Sequence, residues 1–308
     1  SVRRCRSSLD LRLQSLSVGF EVFFRLNMST DQGSAKEAKK ETHIVILGAG
    51  VVGLSTAAAL LCSPGDISHI RITVVADEFS PNTTSDIAGG LWLPYQANHV
   101  ELVKWCTETL NWLVYLNKEG KLPLNAALKT SLPEESNPYR VSLVECISYE
   151  ATDEIAKDRE TWKSALTEPV KKVPVSELPF LPPEAKECAI LSKLPLVTTH
   201  SYLQRMRKEL YSTGRAKFVQ DKEVKNIGDV AKKYSADVVI NCAGLGARKL
   251  LHDEELHPVR GCLVTLGLPA EVQAKVLGKV FMFDDNPAGL TYILPREDGC
   301  HVGGTYLP

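Results

Sequence analysis

Apolar residues recur in two rhythms along this chain, and each rhythm marks a kind of element. His43–Ile44–Val45–Ile46–Leu47 and Ile70–Arg71–Ile72–Thr73–Val74–Val75–Ala76 are short apolar runs that predict buried strands. Between them a small-residue stretch holding Ala57, Ala58, Ala59 and Leu60 predicts a helix, so residues 42–76 read as a β-α-β unit. From Glu101 to Asn117, Leu102, Trp105, Cys106, Thr109, Leu113 and Leu116 recur at i, i+3, i+4 spacing and predict an amphipathic helix. Trp105 and Trp112 are expected in its core face rather than against a ligand. Residues 118–195 are proline-punctuated and charge-rich, predicting only short pieces: a strand at Tyr139–Val144 and helical patches near Asp153–Leu166. Ser201–Tyr211 predicts a helix, Ala216–Gln220 a strand, and Ala236–Gly244 a buried strand closing on a glycine turn. Beyond Pro258, the stretches Cys262–Leu268, Val280–Asp284, Leu290–Pro295 and His301–Tyr306 alternate like strands of an antiparallel or mixed sheet.

The expected fold class is therefore α/β, with a Rossmann-type domain built on the β-α-β unit and a second, α+β domain on a mixed or antiparallel sheet. The first is expected to be discontinuous, from residues 42–100 and 196–250. The second takes residues 101–195 and 251–308 and carries the substrate, while residues 1–41 form a leader or disordered segment.

What joins the first strand to the first helix is Gly48-Ala49-Gly50-Val51-Val52-Gly53, a Gly-x-Gly-x-x-Gly run. Gly48 makes the tight strand-to-helix turn, Gly50 lets a pyrophosphate approach the backbone, and Gly53 lets helix and sheet pack closely. The helix N-terminus adds free N–H groups and the positive end of a dipole. Asp77 ends the second strand, 24 residues beyond Gly53, where a carboxylate can bond an adenosine ribose. These features predict a dinucleotide ligand. The further strand at Val238–Gly244, returning to the same crevice, suits a flavoprotein better than a simple nicotinamide dehydrogenase. Between them, Phe79–Asp86 is loop chemistry rich in hydroxyls, and Gly89–Gly90 lets backbone approach something flat and large.

Composition narrows the picture slightly. The 308 residues carry a formal net charge of −1, which offers no electrostatic case for nucleic acid or an anionic membrane. No apolar run approaches the roughly 18 residues of a membrane span. The eight cysteines include no Cys-x-x-Cys pair, so Cys62, Cys106 and Cys242 are expected as small buried hydrophobes rather than metal ligands or disulfide partners. Residues 1–27 carry Arg3, Arg4, Arg6, Arg12 and Arg25, interrupted by Asp10 and Glu21, and read as upstream sequence or a leader, with Met28 as the working start. Gly303–Pro308 reads as the middle of a β meander, so further chain is expected beyond it.

With these residues in view, the chain resembles the D-amino-acid oxidase family, which includes D-aspartate oxidase. The resemblance runs from about Thr42 to the end. It is carried by Gly48–Thr56, Ala76–Pro81, Thr83-Thr-Ser-Asp-Ile-Ala-Gly-Gly-Leu-Trp92, Val239–Gly244, Pro258–Gly261 and Gly289–Pro295. It implies FAD in an extended form, with pyrophosphate at Gly48–Gly53 and adenosine near Asp77 and Glu78. The flavin would lie against Thr83, Thr84, Ser85, Gly89, Gly90 and Leu91, with backbone help near Val224 and Ala243. The implied reaction oxidises a D-amino acid by hydride transfer to the flavin, giving a 2-oxo acid, ammonia and, from O2, hydrogen peroxide. Tyr292 matches the family tyrosine that holds the substrate carboxylate, and the partner arginine would lie beyond residue 308. Glu78 and Ala243 depart from the family's usual residues, and neither Asp285 nor Tyr306 supplies the base expected of a D-aspartate preference. Arg260 reads as a structural hydrogen bonder. D-aspartate oxidase, a related amine oxidase and a non-catalytic flavin-binding form stand as alternatives. The resemblance also implies a peroxisomal location, against cytoplasmic or mitochondrial ones, and leaves a homodimer open.

Overall fold

The computed structural model describes residues 40–94, 99–150, 165–166, 168, 170–174, 187–283 and 291–304. The leader expected before Lys40, the helical patches expected within 153–164, and Asp285 and Tyr306 lie outside the described residues. In chain order the principal elements are β1 (Thr42–Leu47), α1 (Val51–Cys62), β2 (Ile70–Ala76), α2 (Leu102–Glu119), β3 (Val141–Glu150), β4 (Lys171–Val173) and β5 (Glu187–Val197). Then follow α3 (Thr199–Ser212), β6 (Ala216–Gln220), α4 (Ile227–Lys233), β7 (Val238–Asn241), α5 (Ala247–Leu251), β8 (Leu263–Leu266), α6 (Ala270–Val276), β9 (Lys279–Phe283), β10 (Thr291–Arg296) and β11 (Gly299–Gly303).

Four of these strands form a parallel sheet in the order β6-β2-β1-β7. All of His43–Leu47 is buried because both faces of the sheet are covered. Ile44, Ile46, Ile72 and Val74 pack with Leu54 and Leu61 of α1 and with Leu203 and Leu210 of α3. One residue out of phase, Val45, Leu47 and Val75 pack with Val230 of α4 on the opposite face. Side chains alternate along a strand, so a continuous apolar run serves two cores at once. The strand order reverses at β1, and the crevice beyond its carboxyl end is where such sheets bind ligands.

The second sheet has the order β4-β5-β3-β9-β10-β11-β8 and is mixed. β3 and β9 run parallel, while the other neighbours are antiparallel. Pro295 is tolerated within β10 because pairing with β9 stops at Ile293, leaving that edge of the strand without a ladder. The α/β reading with a parallel sheet and a mixed second sheet holds.

The middle of the chain corrects the sequence reading. β3 runs from Val141 to Glu150 rather than from Tyr139 to Val144, and its partner β5 is an eleven-residue strand where only irregular wiring was expected. A register shift at Val144/Cys146, the positive φ of Lys193 and Pro195 together break the alternation that would have signalled it. α4 and α6 span seven residues each and α5 only five, too short to show a helical period.

Candidate active site

The carboxyl ends of β1 and β7 meet at Gly48, where φ is +105°. A Cβ there would sit 2.1 Å from the Cys242 carbonyl oxygen, so this close approach of two backbones demands glycine. The Gly48 amide donates to Val75 O and the Cys242 amide to Leu47 O, locking the three strand ends together. A Cβ on Gly53 would lie 1.9 Å from Gly48 O, which fits the close helix–sheet packing expected of that residue. α1 begins at Val51 with neither a side-chain cap nor an acidic residue in its first turn. Its first N–H, on Val51, donates to the Ser85 hydroxyl at 3.0 Å, which brings the hydroxyl-rich loop over the glycine turn. Ala49 is buried beneath this turn, and Val52 faces outward from it.

Asp86, which the sequence reading passed over, organises that loop. Its carboxylate is buried and accepts from the Thr83 amide at 2.8 Å, the Thr83 hydroxyl at 2.6 Å and the Ser80 hydroxyl. The Thr199 hydroxyl, at the start of α3, donates to the Asp86 carbonyl. The signal is present in the sequence as the capping-box pattern Thr83-x-x-Asp86, inside a stretch whose hydroxyls alone mark it as loop chemistry. Gly90 takes φ +82° and its carbonyl accepts from the Val197 amide at 2.9 Å, while the Trp92 amide donates to Pro195 O at 2.8 Å. Leu91 thereby forms an antiparallel bridge with Leu196, joining the loop to the end of β5.

Tyr292 approaches the same loop from the second sheet. Its cross-strand partner is Gly303, and a Cβ on Gly303 would lie 2.7 Å from the Tyr292 hydroxyl oxygen, so the ring lies across that glycine. The same end of the ring comes within 3.8 Å of the Cβ position of Gly89. Two residues on, Leu294 fills the space beneath Gly89, and four residues on, the buried Arg296 donates to the carbonyls of Ala88 and Gly89 at 3.1 and 3.3 Å. Arg296 also forks onto Asp298 at 2.8 and 2.6 Å, and Asp298 lies within hydrogen-bond reach of His301 Nε2 at 3.2 Å. Burial would raise the Asp298 pKa, but the bonds and charge of Arg296 and then His301 outweigh it and hold the carboxyl below its ordinary range. Burial, and then the Arg296 charge, pull His301 below the ordinary histidine value.

The remaining expected residues are more dispersed. Asp77 is exposed at the end of β2 and accepts from the Glu78 amide at 2.9 Å, while the Glu78 carboxylate pairs with Lys222. Ala243 follows β7 at the glycine turn, and its amide donates to Asn241 Oδ1. Val224 packs against the Val45–Val75 side of the sheet. Thr84, Ser85, Gly90 and Leu91 share a cavity of about 670 Å³ with Val51 and with Trp92, Trp105 and Trp112. Trp112 is buried as expected and donates to the Tyr202 hydroxyl. Trp105 is instead half-buried on the cavity wall, stacked on His99 at 4.4 Å. Arg260 is exposed. Of the cysteines expected to be buried, Cys106 is so, and Cys62 and Cys242 are partly covered. Among the described residues no group of three metal-ligating side chains occurs, and no helix is long and apolar enough to cross a membrane.

This cradle suits an extended dinucleotide. Bare backbone at Gly48–Gly53, an acid-free helix start, a carboxylate at Asp77 and a loop with little side-chain bulk at Gly89–Gly90 provide what phosphates, a ribose and a flat ring system require. Comparison with known proteins agrees. Residues 43–308 match the family described as FAD dependent oxidoreductase. A D-amino-acid oxidase of Rubrobacter xylanophilus is 28% identical over 270 residues, which are 85% of this chain and 68% of that protein. The D-amino acid oxidase of Dugesia ryukyuensis is 29% identical over 277 residues, covering 85% of this chain and 70% of that protein, and human D-aspartate oxidase is 27% identical over 266 residues, with 85% and 68% covered. Glycine oxidase from Geobacillus kaustophilus shares the fold at a TM-score of 0.61 and 16% identity, with 87% of this chain and 73% of that one superposed. The glycine-turn crevice, the loop folded over it and the match across nearly the whole described chain place this protein in the family of FAD-dependent oxidoreductases, as an enzyme whose cofactor is FAD.

Proposed function

We propose that the protein oxidises D-amino acids with neutral side chains to 2-oxo acids and ammonia, consuming O2 and water and releasing hydrogen peroxide. The observation that carries this reading is Tyr292, whose phenol end lies against both Gly303 and Gly89, beside the loop expected against the flavin. The names of the Rubrobacter and Dugesia relatives support it. FAD, when bound, supplies the two-electron acceptor for the hydrogen on the substrate Cα and hands those electrons to O2. The protein's own part is binding and orientation. Gly48–Gly53, Ser85 and Ala243 would hold the cofactor's phosphates and sugar alcohol chain, and Asp77 its ribose. The Tyr292 hydroxyl donates one oriented hydrogen bond to the substrate carboxylate. Leu91, Leu93 and Leu294 keep the surroundings apolar, which excludes water and disfavours a charged substrate side chain. Arg296 does not serve as the carboxylate's cation, because its guanidinium is committed to Asp298 and to the loop carbonyls.

A coupled peroxide assay against D- and L-amino acids, glycine and sarcosine tests the reading. Turnover of neutral D-amino acids, with Tyr292→Phe raising KM, is expected. Peroxide release from L-amino acids, glycine or sarcosine alone, or oxidation only with an artificial acceptor, would overturn it.

A further inference from the structure

Tyr292, Leu294 and Arg296 alternate along β10 and meet one short segment of the chain, Ala88–Gly89. Two of the three contacts are apolar. The third is a guanidinium that is only 3% exposed, and burying a charge costs several kcal/mol unless it is paired and fully hydrogen-bonded. Apolar residues in place of both Arg296 and Asp298 would fill the same space without that cost. Arg296 meets it with a two-pronged bond to Asp298 and with the carbonyls of Ala88 and Gly89, while Thr199 Oγ1 lies 3.4 Å from the same nitrogen. Asp298 is braced in turn by His301 and His200. The fork makes this arrangement specific to arginine: lysine can meet the carbonyls but not two carboxylate oxygens in parallel.

The two carbonyls have an opposite side. In a planar trans peptide the C=O and the following N–H point in opposite directions. Drawing the carbonyls of Ala88 and Gly89 toward Arg296 therefore turns the amide N–H groups of Gly89 and Gly90 away from β10. Among the described residues neither amide donates to any group. Gly90 and Ala88 line the cavity that also holds Val51 and Ser85 of the cofactor cradle.

We propose that Arg296 is a positioning residue for the cofactor: anchored on Asp298, it sets the peptide planes of Ala88–Gly90 so that the Gly89 and Gly90 amides are held ready as donors to the electron-rich edge of the flavin. Donors fixed in this way favour the flavin more as it gains electrons, so Arg296 acts on the reduction potential without touching the ring. The inference rests on FAD being the cofactor and is independent of which amino acid is oxidised.

The test compares Arg296→Met, Arg296→Lys and Asp298→Asn with Glu209→Gln, a change at a similarly buried charged group on α3 that does not contact the loop. FAD dissociation constants come from flavin fluorescence, the environment of the bound flavin from visible circular dichroism, and its midpoint potential from dye-coupled reduction. Arg296→Met is expected to weaken FAD binding at least about tenfold, equivalent to about 1.4 kcal/mol, to change the visible dichroism and to make the potential more negative. Arg296→Lys should recover part of each effect, and Asp298→Asn should fall between wild type and Arg296→Met. Glu209→Gln should lower the melting temperature and leave all three flavin readouts unchanged. If Arg296→Met folds and its affinity, dichroism and potential match wild type, the proposal fails. If it does not fold, Asp298→Asn decides, and wild-type flavin readouts there would equally overturn it. Since none of these measurements uses a substrate, failure of the D-amino-acid reading would leave them intact.

Discussion

Replacing Gly90 with alanine should dislodge the loop from the second sheet, and the size of the effect can be worked from two separate costs. The first is conformational: φ is +82° at this residue, and an L side chain in left-handed backbone costs about 1–2 kcal/mol. The second is steric. The new Cβ would lie 2.2 Å from the Val197 carbonyl oxygen, well inside the 3.4 Å at which ordinary contact begins, and the obstacle is backbone that cannot rotate aside. Relief requires the loop to retreat by about 1 Å, which strains the Val197 amide bond to Gly90 O and the Trp92 amide bond to Pro195 O. Each such bond contributes about 0.5–1.5 kcal/mol net, so the combined loss is about 3 kcal/mol. Gly214→Ala is the matched control. Its φ is +69° with nothing within 4 Å of the added Cβ, so it carries the conformational cost alone, about 1 kcal/mol. In a chain of this size each kcal/mol shifts the melting temperature by about 2–4 °C, so Gly90→Ala should fall by about 6–12 °C and Gly214→Ala by about 2–4 °C. Scanning calorimetry of both variants, paired with FAD titration, checks this. Gly90→Ala should also bind FAD at least about tenfold more weakly if, as proposed, the loop it displaces lies against the cofactor, whereas Gly214→Ala should bind FAD as wild type does. Equal melting losses in the two variants, or an unchanged FAD affinity in Gly90→Ala, would refute the reasoning.

Three further outcomes follow from buried polar contacts. Glu209→Ala leaves the Leu122 amide and the Tyr139 hydroxyl, now 2.8 and 2.7 Å from the carboxylate, without a partner, and should lower stability by about 3 kcal/mol in urea denaturation. Ser85→Ala removes the acceptor for the Val51 amide at the start of α1 and should cost about 1 kcal/mol, read as a lower melting temperature of the apoprotein. Hydrogen bonds from Lys233 and Tyr234 hold Asp221 below the usual carboxylate range. A depressed carboxylate contributes stability above its unfolded pKa of 3.8, and that contribution is lost as pH falls below 3.8 toward the folded value. Asp221→Asn should therefore flatten the decline of melting temperature below about pH 4 and lower stability at neutral pH.

How much of this was legible in the sequence varied with the range of the signal. The β1–α1–β2 unit was read nearly to the residue because its evidence is local: a strand buried on both faces is continuously apolar, and the glycine turn demands its residue types whatever surrounds it. Tyr292 became a candidate only through family resemblance, since an isolated strand tyrosine carries no mark of what its ring faces. β5 was missed because its order comes from partners. With a positive φ at Lys193, a proline at 195 and a register shift opposite, its eleven residues hold no alternation, and β3 and β4 define it from outside. In such strands the pairing energy lies between segments, where no window of sequence can register it.

The same reasoning explains why Arg296 could not be seen beforehand. In sequence it is an arginine at a strand end followed by Glu297, Asp298 and Gly299, which is ordinary composition for a solvated hairpin. Its burial depends on three events distant in the chain: Gly90 approaching Val197, Thr199 opening α3 beside Asp86, and β10 outrunning β9 so that its last residues face the loop. Each has a different local basis, a glycine, a hydroxyl and a strand edge left without a ladder. Only their convergence gives a guanidinium somewhere to aim. An ion pair accepted into that space at several kcal/mol of desolvation, where a pair of apolar side chains would avoid the cost, points to a requirement other than stability. The backbone it holds lies between the cofactor crevice and the strand of Tyr292, so the requirement that remains is orientation of Ala88–Gly90.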